Sequence, residues 1–225
     1  MIDKKYNKVL TVILIIIVIA IVGVLGFWGY DVYQKYYINK SSNEALDEFD
    51  NRIQTLKSNT TNTSEENVTL NVNTTLDDSS SNGSSSNSKI STQTYKGFTV
   101  AGKIEIPKIN ISYPVLERAT EASMKVSVAI AYGAGLNQVG NTVIMGHNYR
   151  NGTFFSNNKK LENGDLIYIT DTTGNRIKYT IYNVYTTGSD DFDYATRDTA
   201  GKREISLSTC TDDVKSRLVI WAKED

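Results

Sequence analysis

Two residue types are reduced to a single copy each: Cys210 is the only cysteine and His147 the only histidine among 225 residues. A lone cysteine excludes an intrachain disulfide, so an exported domain of this size must be held together by core burial. The thiol is left with two uses, as a small buried hydrophobe or as a reactive group. Two soft ligands in total exclude a tetrahedral zinc site, which needs several Cys or His. Proline is nearly missing as well, with Pro107 and Pro114 the only two. The formal net charge is −1 and no basic cluster occurs in the C-terminal part, so the electrostatic footprint of a nucleic-acid binder is absent.

What is present begins with a long apolar run. Residues 9–28 carry no charge and are mostly Ile, Val and Leu. At about 1.5 Å per residue they match the roughly 30 Å hydrocarbon core of a bilayer. A cleaved signal peptide has an apolar region of only about 7–15 residues and a small-residue cleavage site. Here Phe27-Trp28-Gly29-Tyr30 follows instead, which reads as an aromatic interfacial anchor. Lys4, Lys5 and Lys8 precede the run against one acid, Asp3, so the N-terminus is expected in the cytoplasm and the remainder outside. Residues 1–30 are therefore read as a cytoplasmic tip and a single-pass signal anchor in contact with membrane lipid.

Beyond the span the chain divides into three. Across residues 31–57, Tyr33, Tyr36, Tyr37, Leu46, Phe49, Ile53 and Leu56 recur at spacings that include steps of three and four, the mark of an amphipathic helix. A stalk, a coiled coil and a helix lying on the following domain all fit that pattern. Residues 58–94 are dominated by Ser, Asn and Thr and have too little apolar surface to offset the entropy of ordering. They are expected to form a flexible tether, with a typical end-to-end span of roughly 35 Å. Residues 95–225 regain a globular composition, and 131 residues suffice for one domain with its own core.

Strand signals dominate that last region. Residues 103–107 alternate until Pro107, residues 166–170 follow the turn signal Asn163-Gly164, and Ile177, Tyr179 and Ile181 alternate with polar neighbours after Gly174-Asn175. The helix signal is confined to residues 120–124, with a possible extension to Val128. The pattern predicts a mainly β fold with one or two short helices, a closed or nearly closed β-barrel, which removes exposed strand edges.

The scarce residues sit at the ends of such runs. Cys210 closes Ile205-Ser206-Leu207-Ser208-Thr209-Cys210, His147 closes Thr142-Val143-Ile144-Met145-Gly146-His147, and Arg217, seven residues after the cysteine, opens Leu218-Val219-Ile220-Trp221-Ala222. A nucleophile, a proton shuttle and a fixed positive donor are the parts acyl transfer requires. Taken singly, each has a plainer reading: a buried thiol, a solvated turn histidine and a surface arginine.

Taken together, these motifs resemble the sortases, membrane-anchored cysteine transpeptidases of Gram-positive bacteria. The resemblance is carried by Gly102-Lys103-Ile104-Glu105-Ile106-Pro107-Lys108-Ile109 with Tyr113-Pro114-Val115. It continues through Gly140-Asn141-Thr142-Val143-Ile144-Met145-Gly146-His147, Gly164-Asp165, Leu207-Ser208-Thr209-Cys210 and Arg217-Leu218-Val219. It implies a closed β-barrel of about eight strands in which Cys210 is the nucleophile, His147 the general acid/base and Arg217 the clamp for oxyanion or substrate. It further implies cleavage of a Leu-Pro-x-Thr-Gly (LPxTG) sorting signal at its Thr–Gly bond through a thioacyl-enzyme. The partners implied are surface proteins bearing that signal and an amine acceptor, such as a peptidoglycan precursor or a pilin lysine, with no nucleic acid. Thr209 and Asn148 are candidate substrate-binding residues, with strand propensity and turn capping explaining them equally well. Tyr194, in the 187–202 segment, is a candidate for the substrate pocket.

The subclass is divided. His147-Asn148-Tyr149-Arg150-Asn151-Gly152-Thr153-Phe154-Phe155 with Lys159-Lys160 is similar to class B sortases. The compact Gly164-Asp165 hairpin, the short stretch from Cys210 to Arg217 and the end at Asp225 are closer to class D or class A. Class B enzymes usually carry a helical insertion before the cysteine strand, and residues 187–202 are too short for one, so class D is the expected subclass. The Asp-Pro-aromatic lid of class C is not visible, since no proline precedes Pro107. No cofactor is expected. Calcium, which activates some relatives, would draw on Asp190, Asp191 and Asp193 or on Glu117 and Glu121, although solvated loop acids explain these equally. The alternatives to the transpeptidase are a class B-type enzyme with a divergent motif, a cysteine hydrolase, and an inactive tethered binding module.

Overall fold

A computed structural model describes residues 4–62 and 92–225. The first element is a single helix, α1 (Lys4–Asn62). By length and composition it qualifies as a membrane span: its most apolar window has a mean hydropathy of 3.3 and no buried share. The rest is strand: β1 (Thr94–Tyr95), β2 (Phe98–Ile106), β3 (Ile111–Leu116), β4 (Val128–Tyr132), β5 (Gly140–Met145), β6 (Leu166–Asp171), β7 (Arg176–Gly188), β8 (Arg203–Cys210) and β9 (Ser216–Glu224), with a one-turn helix α2 (Glu121–Met124) between β3 and β4. Pro107 ends β2 and opens a single 3-10 turn, as a residue without an amide proton should.

Eight strands close into a barrel in the order β2-β3-β4-β5-β8-β9-β7-β6, and β6 pairs back onto β2. The β3–β4 and β5–β8 pairs are parallel; the other pairs are antiparallel. Alternation decides what fills the barrel. Along β2, Val100, Gly102, Ile104 and Ile106 are buried while Lys103 and Glu105 are not. Ile104 and Ile106 then meet Val115, Ile144, Ile167, Ile169, Leu207 and Ile220 in one core. At the closing seam the backbones approach so tightly that a Cβ on Gly102 would lie 2.3 Å from the Thr170 carbonyl oxygen. Only glycine fits there.

Helix α2 is shorter than the longest extent the sequence suggested. Thr120 caps it reciprocally with Ser123, it stops at Met124, and Val128 opens β4 instead, because the β-branched Val128 pairs with Val115 in the sheet. The expected 58–94 tether lies mostly outside the described residues, and its two ends are structured. Helix α1 runs on to Asn62, and Thr94 pairs with Thr99.

Among the three roles open to residues 31–57, the helix lies on the barrel. Ser42, Ala45, Leu46, Phe49 and Ile53 are buried at three- and four-residue spacing. Ala45, Phe49 and Ile53 pack with Tyr95, Val100, Leu116 and Ala129. Polar contacts fix the register: Lys103 Nζ reaches both oxygens of Asp50 at 2.9 Å, and Gln93 Nε2 donates to the Ala45 carbonyl at 2.9 Å. Phe49→Ala is expected to cost about 3 kcal/mol, the low end for a buried phenylalanine because a docked helix can settle into the gap. A urea midpoint unchanged from that of the wild-type protein would take α1 off the barrel.

Candidate active site

Parallel pairing of β5 with β8 sets Ile144 opposite Leu207 and Met145 opposite Ser208. The Gly146 amide continues the ladder to the Ser208 carbonyl at 3.2 Å. His147 and Cys210 each lie two residues past the Met145–Ser208 pair, on neighbouring strand ends that are spaced about 4.8 Å apart in a sheet. Because Ile144 and Leu207 fill the barrel, alternation turns Met145, His147, Ser208 and Cys210 to its outer face. Cys210 is in turn the antiparallel partner of Arg217. Three residues distant in sequence thus occupy three adjacent strand ends on one face. Cys210 and His147 are both half-buried. Glycine at 146 matters here: a Cβ would sit 2.8 Å from both Phe155 and Val128, side chains that close under the histidine.

The loop after His147 is tied down at several points. Asn148 Nδ2 donates to the Cys210 carbonyl at 3.1 Å and to Asp212 Oδ1 at 2.9 Å, and Asp212 also receives Lys159 at 2.6 Å. Asn148 bridges Phe154, and the Phe155 amide donates to the His147 carbonyl at 3.2 Å. The Tyr149 ring lies 5.1 Å from the imidazole. Neither ring nitrogen has a hydrogen-bond partner among the described residues.

Burial holds the His147 imidazole below the usual histidine range. Lys125 pushes the same way and Glu121 opposes it. Those two form a 2.7 Å ion pair on α2. Lys125→Ala removes the repelling charge and frees the attracting one, so the histidine pKa rises. With one histidine in the chain, a single imidazole resonance followed through a pH titration reads it directly. A curve displaced to lower pH, or unmoved, contradicts this coupling.

Arg217 is held from the segment between β7 and β8. Its Nε donates to the Ser189 carbonyl at 2.9 Å and its guanidinium lies 5.2 Å from the Phe192 ring centre. The two Nη groups make no hydrogen bond among the described residues and are left for a ligand. That segment is anchored in turn. Asn141 Nδ2 donates to the Tyr194 and Ala195 carbonyls at 2.9 and 3.0 Å. Arg197 pairs with Glu204, which also accepts from Tyr182 at 2.6 Å. Burial, then the bond to Glu204, pushes the Tyr182 hydroxyl up to about 12, so it stays a donor.

The remaining sequence candidates land differently. Thr209, proposed as a cleft residue, shares the inward face with Leu207, is 2% exposed, and its hydroxyl has no hydrogen-bond partner. A strand turns the neighbour of an outward cysteine inward, so the Thr209 side chain points into the barrel, away from the face that carries Cys210. Asn148 spends its amide on binding loop to strand. Tyr194 is buried with Val143 and Val219 and shares a 3.0 Å hydrogen bond with Ser208, two residues before Cys210. The exposed ring over Arg217 is Phe192, one that sequence reasoning missed although its place in the same short loop was visible. Tyr149 entered the sequence analysis only as part of the stretch similar to class B sortases and was not singled out there as a site residue. Asp191 is occupied by Thr187 and by the Asp193 amide. Among the described residues no group of three or more Asp, Glu, His or Cys stands where it could hold a metal ion.

A closed barrel with one thiol, one imidazole and one guanidinium on adjacent strand ends defines a narrow class of β proteins. The family model described as "Sortase domain" matches residues 104–225, more than half of the chain. The chain belongs to the sortase family. It is 32% identical to Sortase A of Bacillus anthracis over 112 residues, which are 49% of this chain and 52% of that protein. It therefore spans about half the length of this relative. Among solved structures it is similar to Sortase A from Corynebacterium diphtheriae, with 28% identity, a TM-score of 0.52, and coverage of 57% of this chain and 61% of that one. It is similar also to a Clostridium perfringens Sortase D5 transpeptidase, with 27% identity, a TM-score of 0.52, and coverage of 56% and 79%.

Proposed function

We propose that this protein is a cell-surface cysteine transpeptidase that cuts an LPxTG-type sorting signal between Thr and Gly. One observation carries the reading: Cys210, His147 and Arg217 occupy neighbouring strand ends on the same outer face. The Cys210 thiolate attacks the threonine carbonyl carbon, and Arg217 stabilises the resulting oxyanion through its Nη donors. The carbon–nitrogen bond then breaks, and His147 as imidazolium gives its proton to the departing glycine amine. The thioester that remains is attacked by an acceptor amine. Neutral His147 takes that amine's proton, the carbon–sulfur bond breaks and the thiolate is restored.

Residues 189–202, between β7 and β8, contain only a single 3-10 turn, Asp193–Ala195, and this short connection favours class D over a class B enzyme. The lysines before the span favour an N-terminus in the cytoplasm and a head outside. The acceptor is a peptidoglycan precursor or another wall amine. The test incubates the protein with an LPxTG peptide, with and without an amino-terminal glycine acceptor. Acceptor-dependent product supports transfer. Cleavage equal in both arms makes the protein a hydrolase, and no cleavage makes it a binding module.

A further inference from the structure

The path of α1 carries information about where the candidate site stands. The uncharged run ends at Trp28, and the helix continues unbroken onto the barrel. Three residues later Asp31 accepts from Asn151 Nδ2 at 3.4 Å. One turn on, Lys35 Nζ lies 3.2 Å from the position of a Cβ on Gly152. Next, Asn39 accepts from the Tyr113 hydroxyl at 3.5 Å, and that hydroxyl takes the Phe154 amide at 3.1 Å. The helix therefore touches the His147 loop first. It meets the opposite end of the barrel last, where Ile53 lies 2.5 Å from the position of a Cβ on Gly174 in the β6–β7 turn.

Helix rise turns this order into height. Asp31 and Lys35 lie roughly 5 and 10 Å along the axis past Trp28, and Ile53 lies roughly 38 Å past it. The polar layer on each side of a bilayer is only about 5–8 Å thick. The first contact of the His147 loop, at Asn151, thus falls at headgroup level, its later contacts lie above that layer, and the β6–β7 turn is at the far end.

The surface of that end agrees. The head exposes five large hydrophobic side chains, and three of them border the site: Tyr149 at 43%, Phe192 at 48% and Val214 at 61%. They follow His147, cover Arg217 and occupy the turn after Cys210. Tyrosine is enriched at the membrane–water boundary, and Phe and Val gain by burying apolar area there.

We propose that the barrel end carrying Cys210, His147 and Arg217 rests on the bilayer that α1 crosses, with Tyr149, Phe192 and Val214 in the headgroup layer and the thiol at membrane level. The occupant of this apolar rim is the lipid surface itself. A substrate then reaches the thiol along the membrane. The inference relies on residues 9–28 being a span, but not on the transfer reaction.

The experiment uses the full chain with Cys210→Ser, so that one introduced cysteine at a time carries a fluorophore. Tyr149→Cys and Val214→Cys report the site end; Thr173→Cys and Lys202→Cys report the opposite end, and all four positions are exposed. Each protein is reconstituted into phosphatidylcholine vesicles with a headgroup-spin-labelled lipid as quencher. Quenching is expected to be several-fold stronger at 149 and 214 than at 173 and 202. Equal or reversed quenching overturns the proposal. Labels at 149 and 214 that ignore the lipid quencher yet respond to an LPxTG peptide assign the rim to substrate and also overturn it. Chain released from the vesicles by alkaline wash removes the span and the proposal together. Because the readout is quenching by lipid and not turnover, the outcome of these arms leaves open whether the wild type transfers an acyl group.

Discussion

Cys210→Ala is expected to reduce acyl transfer by at least about 10⁴-fold, the scale of losing a covalent nucleophile, with little change in the unfolding midpoint. Both halves of that expectation come from the position of the residue. Cys210 is the last residue of β8, half-buried and without a disulfide partner. Its backbone carbonyl, the acceptor for Asn148, survives the substitution. The ladder to Arg217 is made by main-chain atoms and survives as well. What disappears is the sulfur. The chain has no second cysteine to substitute for it, so mass spectrometry of the wild type with slow acceptor should place an acyl adduct on this residue alone. Turnover by Cys210→Ala near the wild-type rate removes the nucleophile assignment.

Arg217→Lys is expected to lower kcat by about 10²–10³-fold, as removal of a preorganised oxyanion donor does, while KM moves little. Charge is preserved in this substitution, so the loss is geometric. Arg217 spends its Nε on the Ser189 carbonyl and rests its guanidinium against Phe192. These contacts fix the plane and leave the Nη groups without a hydrogen bond among the described residues. Lysine has one nitrogen and no plane, so it must abandon either the Ser189 carbonyl or the substrate. Rates within a few-fold of wild type would contradict a bidentate role. Equal losses for Arg217→Ala and Arg217→Lys would support it.

Much of the fold could be read from the chain because strand periodicity is local. The alternation at 103–107 and 177–182, and the proline and glycine punctuation, mark β2 and β7 without knowledge of their partners. The same logic made Thr209 a poor candidate for the groove. Its inward direction follows from the outward direction of Cys210, but only once the inside of the barrel is known. Helix α1 shows the opposite case. Its apolar spacing at Leu46, Phe49 and Ile53 was plain, and three different burial partners satisfied it equally. Lys103 and Gln93, which select the barrel, lie on elements about fifty residues away. Phe192 and Tyr149 were not singled out for the same reason, since nothing local distinguishes an exposed ring beside a functional side chain from any other loop aromatic.

The sequence by itself determined that the chain has a single thiol and a single imidazole to offer, Cys210 and His147, each at the end of an apolar run. It also determined that an uncharged twenty-residue run precedes a β domain. Only the tertiary structure decided that the thiol, imidazole and guanidinium share a face, that α1 lies along the barrel, and which barrel end stands nearer the apolar run. Periodicity is a property of neighbours in sequence. The parallel register of β5 on β8 and the docking of α1 are set by side chains meeting across the core, where many pairings satisfy the local pattern and packing accepts one.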